Sequence, residues 1–122
     1  MQALHCYDPL GRVEEYRTDD IGELRNYLRR YADFSANTGT AILLNEFGEN
    51  VNSDYDATLT YLDDLRTIAV EYGWSWSMYD YIGPFCLVKG NNPDHQRKGA
   101  VYEKMGDCKV DTGLYAVLKK HF

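Results

Sequence analysis

Residues 40–50, TAILLNEFGEN, restrict the possible fold of this chain more than any other segment. The segment opens with a short, uncharged apolar run without alternation, which is typical of a strand buried on both faces of a parallel sheet. Asn45 and Glu46 follow at the carboxyl end of this strand, where parallel α/β sheets gather their ligands. By strict alternation Ile42, Leu44 and Glu46 share one face. We therefore expect Glu46 either to follow the two aliphatic side chains into a site or to be an ordinary exposed carboxylate.

The rest of the chain alternates between strand-like and helix-like apolar spacing. The predicted order is a strand over residues 2–7, a helix over 18–37, the strand from residue 40, a helix over 54–72, a strand over 74–81, a turn-rich surface loop over 90–99 and a last helix that begins after Asp111. Such alternation predicts an α/β fold in which right-handed helical crossovers join parallel strands. The length of 122 residues fits a single domain over residues 1–122.

Several residues indicate where these elements begin, end and face. Thr18 or Asp19 is expected to cap the first helix, and Gly39 and Gly73 to end the first and second. Alternation places Ala3, His5 and Tyr7 on one face of the first strand, and Trp74, Trp76 and Met78 opposite Ser75, Ser77, Tyr79 and Tyr81 on the third. The inward face of the last helix is expected to carry Leu114, Val117, Leu118 and His121.

The charge of the chain excludes some classes of partner. Its net charge of −6 repels phosphate backbones and anionic lipids, so we expect no nucleic-acid or membrane partner. No apolar run approaches the ~20 residues that span a bilayer, and the first residues show no signal peptide. The 11 tyrosines are many for this length, and they suit either a sugar-binding cleft or the packed faces of strands and helices.

The sequence predicts neither a cofactor nor a metal. It contains no Gly-rich phosphate loop, nucleophile elbow or metal-ligand cluster. Asn50, Asn52, Asp54 and Asp56 alternate as in a calcium loop, but the Gly and distal Glu of such a loop are missing. The three cysteines, Cys6, Cys86 and Cys108, form no CxxC pair and are either three free thiols or one disulfide and one thiol.

The three predicted strands end in polar or aromatic residues, which parallel pairing would bring side by side. These are His5 and Tyr7, then Asn45 and Glu46, then Tyr79 and Asp80. A carboxylate flanked by a phenol and an imidazole can attack the anomeric carbon of a sugar, because the neighbouring donors aim it and keep it ionised. A full reaction also needs a second carboxylate to protonate the leaving group.

Three motifs carry a resemblance to glycoside hydrolase family 5, the cellulase-type retaining enzymes. HCYDP from His5, ILLNEFGEN from Ile42 and SWSMYDYIGPF from Ser75 resemble the sixth-, seventh- and eighth-strand motifs of that family. The resemblance implies the last three strands of a (β/α)8 barrel, with Glu46 as the nucleophile and His5 and Tyr7 lining the active site. Asn45 is expected to bind substrate, and Tyr79 or Trp76 stands where the family has a sugar-stacking Trp. Core packing is the alternative for Trp76.

The resemblance also implies what this chain does not contain. The acid/base Glu of the family, and its Arg and His from earlier strands, have no counterpart in the sequence; Asp80, Glu49 and Asp8 are weak substitutes for the Glu. Because a complete barrel takes roughly 250 residues, the chain is expected to be part of a longer gene, a truncated product or a remnant with another role. Open sheet edges would favour self-association or pairing with the N-terminal part of a barrel.

The resemblance implies hydrolysis of β-1,4-glucan or a related polysaccharide, of the retaining endoglucanase type, with the acid/base half outside this chain. The main alternative is a non-catalytic remnant that binds glycan or serves in assembly. A third possibility is an unrelated small α/β domain. The family is mostly secreted, but the residues themselves predict no location.

Overall fold

The computed structural model describes residues 1–11 and 13–120, so the predicted inward position of His121 lies outside the described residues. The strands and helices are β1 (Gln2–Cys6), α1 (Ile21–Thr38), β2 (Ile42–Phe47), α2 (Tyr55–Glu71), β3 (Ser75–Trp76), β4 (Tyr102–Met105), β5 (Cys108–Asp111) and α3 (Thr112–Lys119). Short 3-10 turns cover Val13–Glu15, Thr18–Asp20 and Pro93–His95. The predicted β, α, β, α, β order with a terminal helix is therefore confirmed.

Capping residues fix the ends of the helices. Gly39, with φ of 68°, ends α1 in the left-handed conformation, and its N–H donates to Ser35. The Asp54 side chain accepts the N–H of Ala57 at the start of α2, and Asp111 accepts that of Leu114 at the start of α3. The expected cap at Thr18 or Asp19 instead begins a 3-10 turn, so that α1 starts at Ile21.

The main sheet has the order β1-β2-β3, and both pairings are parallel. Helices α1 and α2 cover one of its faces. The core there is built from apolar side chains of both layers: Leu4, Cys6, Ile42, Leu44 and Phe47 from the strands, and Leu24, Leu28, Leu62, Leu65, Ile68 and Ala69 from the helices. On β1 this leaves Ala3 and His5, as predicted, on the opposite face.

A bulge in β2 corrects the predicted facing of Glu46. Leu4 pairs with Leu44, but the next residue of β1, His5, pairs with Glu46, so Asn45 is an extra residue on β2. Alternation resumes one residue late, which returns Phe47 to the helix-covered core. Glu46 therefore faces away from Ile42 and Leu44, not with them.

The third strand is much shorter than the predicted residues 74–81. Only Ser75–Trp76 pairs regularly with β2, although Ser77 and Tyr79 still donate their N–H groups to the carbonyls of Leu44 and Phe47. These donors are two residues apart whereas their acceptors are three apart. The extra residue of β2 therefore also shifts its pairing with the segment after β3, and regular pairing between the two ends at that point.

A second, antiparallel sheet was not predicted. Strands β4 and β5 form a hairpin whose turn contains Gly106, with φ of 61°. The segment predicted as a surface loop over residues 90–99 is also not wholly at the surface, because Arg97 within it is buried. The hairpin is local in sequence, whereas the burial of Arg97 depends on acceptors up to 48 residues away.

Cys6 and Cys86 are buried free thiols and Cys108 is a half-buried one, which settles the alternative left open above in favour of three thiols. Burial raises the pKa of the Cys6 thiol to about 11. Within residues 1–11 and 13–120, none of the helices combines the length and the apolar character that crossing a membrane requires.

Replacing Leu65 by alanine is expected to lower the free energy of unfolding by about 2–5 kcal/mol, because this fully buried side chain of α2 faces the sheet. Val70→Ala, on the exposed side of the same helix, should change it by no more than about 0.5 kcal/mol. Urea unfolding followed by circular dichroism measures both. Equal losses would contradict the assigned buried face of α2.

Candidate functional site

The Glu46 carboxylate lies at the end of β2 between two side chains of the neighbouring strand end. The Tyr7 hydroxyl donates a hydrogen bond of 3.0 Å to Oε2 of Glu46. Nδ1 of His5 lies 3.5 Å from the same oxygen, within ion-pair distance when the imidazole is protonated. His5 reaches Glu46 because the two residues are paired across the strands, and Tyr7 lies two residues further along the same face.

The three side chains remain accessible to a ligand. The His5 side chain is 54% exposed and that of Glu46 36%. Burial raises the pKa of the Tyr7 phenol, and its hydrogen bond to Glu46 and the negative charge there raise it further. The phenol therefore stays protonated and keeps its donor on the carboxylate at neutral pH.

Three aromatic rings form a wall beside this carboxylate. Tyr7 lies edge-on to Tyr79, with ring centroids 6.4 Å apart, and Phe85 packs against both at 5.6 and 5.7 Å. Tyr7 and Tyr79 are partly exposed. Exposed aromatic faces next to hydrogen-bonding groups are suited to the apolar faces and hydroxyls of sugars.

The backbone that carries Tyr79 passes very close to the end of β2. Its N–H donates to the carbonyl of Phe47 at 2.8 Å. A Cβ atom on Gly48 would collide with the Tyr79 carbonyl oxygen, so only glycine fits at that position. The peptide bond between Tyr79 and Asp80 is cis.

Trp76 is not part of this cluster. Its ring packs edge-on against Phe47, with centroids 5.8 Å apart, and the Arg66 guanidinium lies 4.1 Å above it. Phe47 belongs to the helix-covered core, and Trp76 is a partly buried residue packed against it. This environment favours the core-packing alternative, and stacking of Trp76 on a sugar remains a prediction. Burial also lowers the pKa of Arg66, to about 10.

Asn45 contributes its backbone to the bulge. Its carbonyl accepts a hydrogen bond of 2.7 Å from the Ser77 hydroxyl. Its side-chain Oδ1 is buried and has no hydrogen-bond partner among the described residues. The Asn45 side-chain oxygen is therefore not exposed to a ligand in this structure, and the role of Asn45 in binding substrate remains a prediction.

The carboxylates considered as substitutes for the acid/base differ in their surroundings. Glu49 is buried, and its Oε1 accepts hydrogen bonds from the Ser53 hydroxyl and the Asn50 N–H. Burial raises its pKa, but its contacts lie within its own loop. Asp80 is near enough to Tyr7 for its charge to contribute to the raised pKa of that phenol.

Phe85 and Arg97 are the residues that the sequence analysis missed. Phe85 is part of the motif from Ser75 but lies beyond the predicted strand, and Arg97 lies in the predicted surface loop. An aromatic residue directly after Gly83 and Pro84 was a usable signal for a structured loop. No local signal marks Arg97. The described residues hold no group of three or more His, Cys, Asp or Glu arranged to bind a metal ion.

The solved structures that share this fold include glycoside hydrolases. A crystal structure of a glycoside hydrolase matches with a TM-score of 0.80 and 25% identity, over 95% of this chain and 39% of that chain. A hyperthermophilic endo-β-1,4-glucanase solved with substrate matches with a TM-score of 0.72 and 17% identity, over 97% and 39%. The cellulose synthase subunit Z of Clostridioides difficile matches with a TM-score of 0.72 and 14% identity, over 95% and 39%.

These likenesses define the class of fold. The chain is an α/β structure with a three-stranded parallel sheet, and its fold matches part of the chains of TIM-barrel glycoside hydrolases. It spans 33 to 39% of the length of the matched structures. Neither a scan of protein-family models nor a search of curated proteins finds a match to the sequence.

Tyr7 is expected to ionise above the ordinary tyrosine pKa of about 10. The difference between tyrosinate absorbance titrations of the wild type and Tyr7→Phe isolates this phenol. Because the fold favours the neutral form, the contribution of Tyr7 to stability is complete below pH ~10 and is lost as pH rises through the raised pKa.

Glu46→Gln should lower this Tyr7 pKa without restoring the ordinary value, because burial is its largest cause and remains. Glu71→Gln is the matched control, since Glu71 pairs with Arg25 on the helix layer. If the pKa of Tyr7 were the same in Glu46→Gln as in the wild type, the electrostatic link between the two residues would be contradicted.

Proposed function

We propose that this chain forms the nucleophile side of a family 5 glycoside hydrolase that cleaves β-1,4-glucan or a related β-glycan with retention. The observation that carries the proposal is the Glu46 carboxylate held by Tyr7 at 3.0 Å and lying 3.5 Å from His5. It stands at the carboxyl end of a parallel strand in a fold shared with endoglucanases. The aromatic wall of Tyr7, Tyr79 and Phe85 supports a sugar as the ligand.

In the proposed reaction an oxygen of Glu46 attacks the anomeric carbon, and the bond from that carbon to the leaving oxygen breaks. A carboxylic acid protonates the leaving oxygen, and water activated by the same group then hydrolyses the glycosyl ester. Tyr7 donates to Oε2 and so orients the carboxylate, while Tyr79 offers its ring to the sugar face.

The acid/base in this proposal comes from outside the three βα units. A retaining reaction needs it about 5 Å from the nucleophile. Glu49 is buried in contacts with its own loop and is not placed to donate to a leaving group. We assign the proton donor to further units that would complete the barrel.

Those units would dock on the open edge of β1. Among the described strands β1 pairs with β2 alone, so no strand pairs with its second edge. An apolar groove of about 250 Å³ runs between this edge and α1, lined by Gln2, Ala3, Leu4, Tyr31, Phe34 and Ile42. The Phe34 side chain is 44% exposed in this groove.

The catalytic proposal is tested by incubating the purified chain with a 2-deoxy-2-fluoro glucoside that carries an activated leaving group. The good leaving group reduces the need for the acid, and the fluorine slows release of the covalent ester. We expect intact-mass spectrometry to detect one added glycosyl group, and peptide mapping to place it on Glu46.

Two variants sharpen this experiment. Glu46→Gln should abolish labelling, whereas Glu49→Gln should retain it, because the Gln oxygen can still accept from Ser53 and Asn50. A folded wild type that acquires no adduct would contradict the catalytic proposal.

Glycan binding without catalysis is the second candidate function, and the partial exposure of Tyr7 and Tyr79 favours it. The Glu46→Gln variant distinguishes the two functions. A binder keeps most of its affinity for cello-oligosaccharides in this variant, as measured by calorimetry, whereas an enzyme loses its turnover.

The open β1 edge predicts that the chain alone associates as its concentration rises. Phe34→Lys should reduce this association, because it places a charge in the apolar groove. Val101→Lys is the matched control, since Val101 is 63% exposed but lies outside the residues that line the groove. Sedimentation velocity measures both, and an equal effect of the two variants would argue against the groove as the contact surface.

A further inference from the structure

Arg97 is a buried cation that joins two loops next to the Glu46 cluster. It lies between the 3-10 turn Pro93–His95 and β4, and its side chain has no exposed surface. The guanidinium donates to four backbone carbonyls: Nη1 to Glu49 at 3.1 Å and Asn50 at 3.3 Å, and Nη2 to Phe85 at 3.2 Å and Cys86 at 3.3 Å. A planar fork of donors can reach several acceptors at once in this way.

Asp111 forms an ion pair with the guanidinium on its Nε side. Its Oδ2 lies 3.3 Å from Nε of Arg97, and neither side chain is exposed. Its Oδ1 accepts the Leu114 N–H at the start of α3 and the Tyr55 hydroxyl of α2. The cation is therefore anchored to the helix layer, while its other donors face the loops.

The two loops carry the two halves of the candidate site. The loop of Glu49 and Asn50 continues directly from the strand end that presents Glu46. The loop of Phe85 brings the ring that packs against both Tyr7 and Tyr79. Beside the backbone hydrogen bond from the Val51 N–H to the Pro84 carbonyl, the two loops are thus joined by one buried side chain. Among the described residues it contacts the aromatic wall only through the Phe85 carbonyl and makes no hydrogen bond to Glu46.

We propose that Arg97 is a positioning residue for the Glu46 site. It holds the loop after β2 and the loop of Phe85 in one relative arrangement, and Phe85 in turn holds the rings of Tyr7 and Tyr79. Arg97 itself contacts no substrate. The inference rests on the proposed function for the use of the site, but its test does not depend on catalysis.

The test is an NMR spectrum of the full chain with 13C-labelled tyrosine rings. Tyr7→Phe and Tyr79→Phe assign the two signals, whose positions depend on ring currents from their neighbours. Arg97→Lys keeps the positive charge but loses the fork. We expect the Tyr7 and Tyr79 signals to move and to lose their ring-current shifts, while those of Tyr16 and Tyr61, which pack together in the helix-side core, stay in place.

Arg66→Lys is the matched control. Arg66 is also a fully buried arginine with a backbone acceptor, the Val117 carbonyl, but it lies on Trp76 in the core. This variant is expected to lower stability and to leave the Tyr7 and Tyr79 signals unchanged. A merely structural role of Arg97 would give the same result in Arg97→Lys, and that result would overturn the proposal, as would equal shifts in both variants.

Asp111→Asn provides the answer if Arg97→Lys does not fold. Asparagine retains Oδ1 for the Leu114 N–H and the Tyr55 hydroxyl, and only the group that faces Nε of Arg97 changes. Movement of the Tyr7 and Tyr79 signals in this variant supports the proposal, and unchanged signals overturn it.

The outcome of this NMR test can be distinguished from the outcome of the labelling test of the proposed function. Moved signals in Arg97→Lys, together with a wild type that forms no Glu46 adduct, would keep the positioning role and contradict the hydrolase. Unmoved signals together with an adduct on Glu46 would do the reverse.

Discussion

The single extra residue in β2 determines which side chains belong to the core and which to the candidate site. Without the bulge at Asn45, Glu46 would follow Ile42 and Leu44 into the helix-covered core, and Phe47 would face the other way. A buried, unpaired carboxylate costs several kcal/mol, and an exposed Phe forfeits the gain from its burial. The bulge removes both costs, because a one-residue change of register inverts every later side chain of a strand.

The same change of register brings Glu46 to its partners. His5 and Tyr7 follow regular alternation along the first strand, so both face away from the helices. The Glu46 carboxylate reaches them because the bulge in β2 turns it to that same side. The segment after β3 adapts to the extra residue by pairing irregularly, and this brings Tyr79 beside Tyr7. Trp76, one residue before that irregularity, stays with the core. The bulge at Asn45 thus determines both the composition of the candidate site and that of the adjoining core.

Local sequence predicted what depends on local physics. The two long helices, the parallel order and the facing of His5 followed from apolar period and capping residues such as Gly39 and Asp54. The bulge did not, because Asn45 is compatible with either backbone and only packing of Phe47 decides between them. The hairpin around Gly106 had a local signal, Gly-Asp, that was overlooked. The burial of Arg97 had none, since its acceptors come from loops up to 48 residues away.

Gly48 shows that the most restrictive position of such a site can be one without a side chain. The Tyr79 carbonyl occupies the space that any Cβ would need, so every other amino acid would push β2 and the segment of Tyr79 apart. Such a position tolerates no chemical substitute, whereas a phenol or an imidazole can be exchanged for another donor. In a saturation-mutagenesis experiment Gly48 would therefore be the position that tolerates the fewest substitutions, because two backbones lie so close together there.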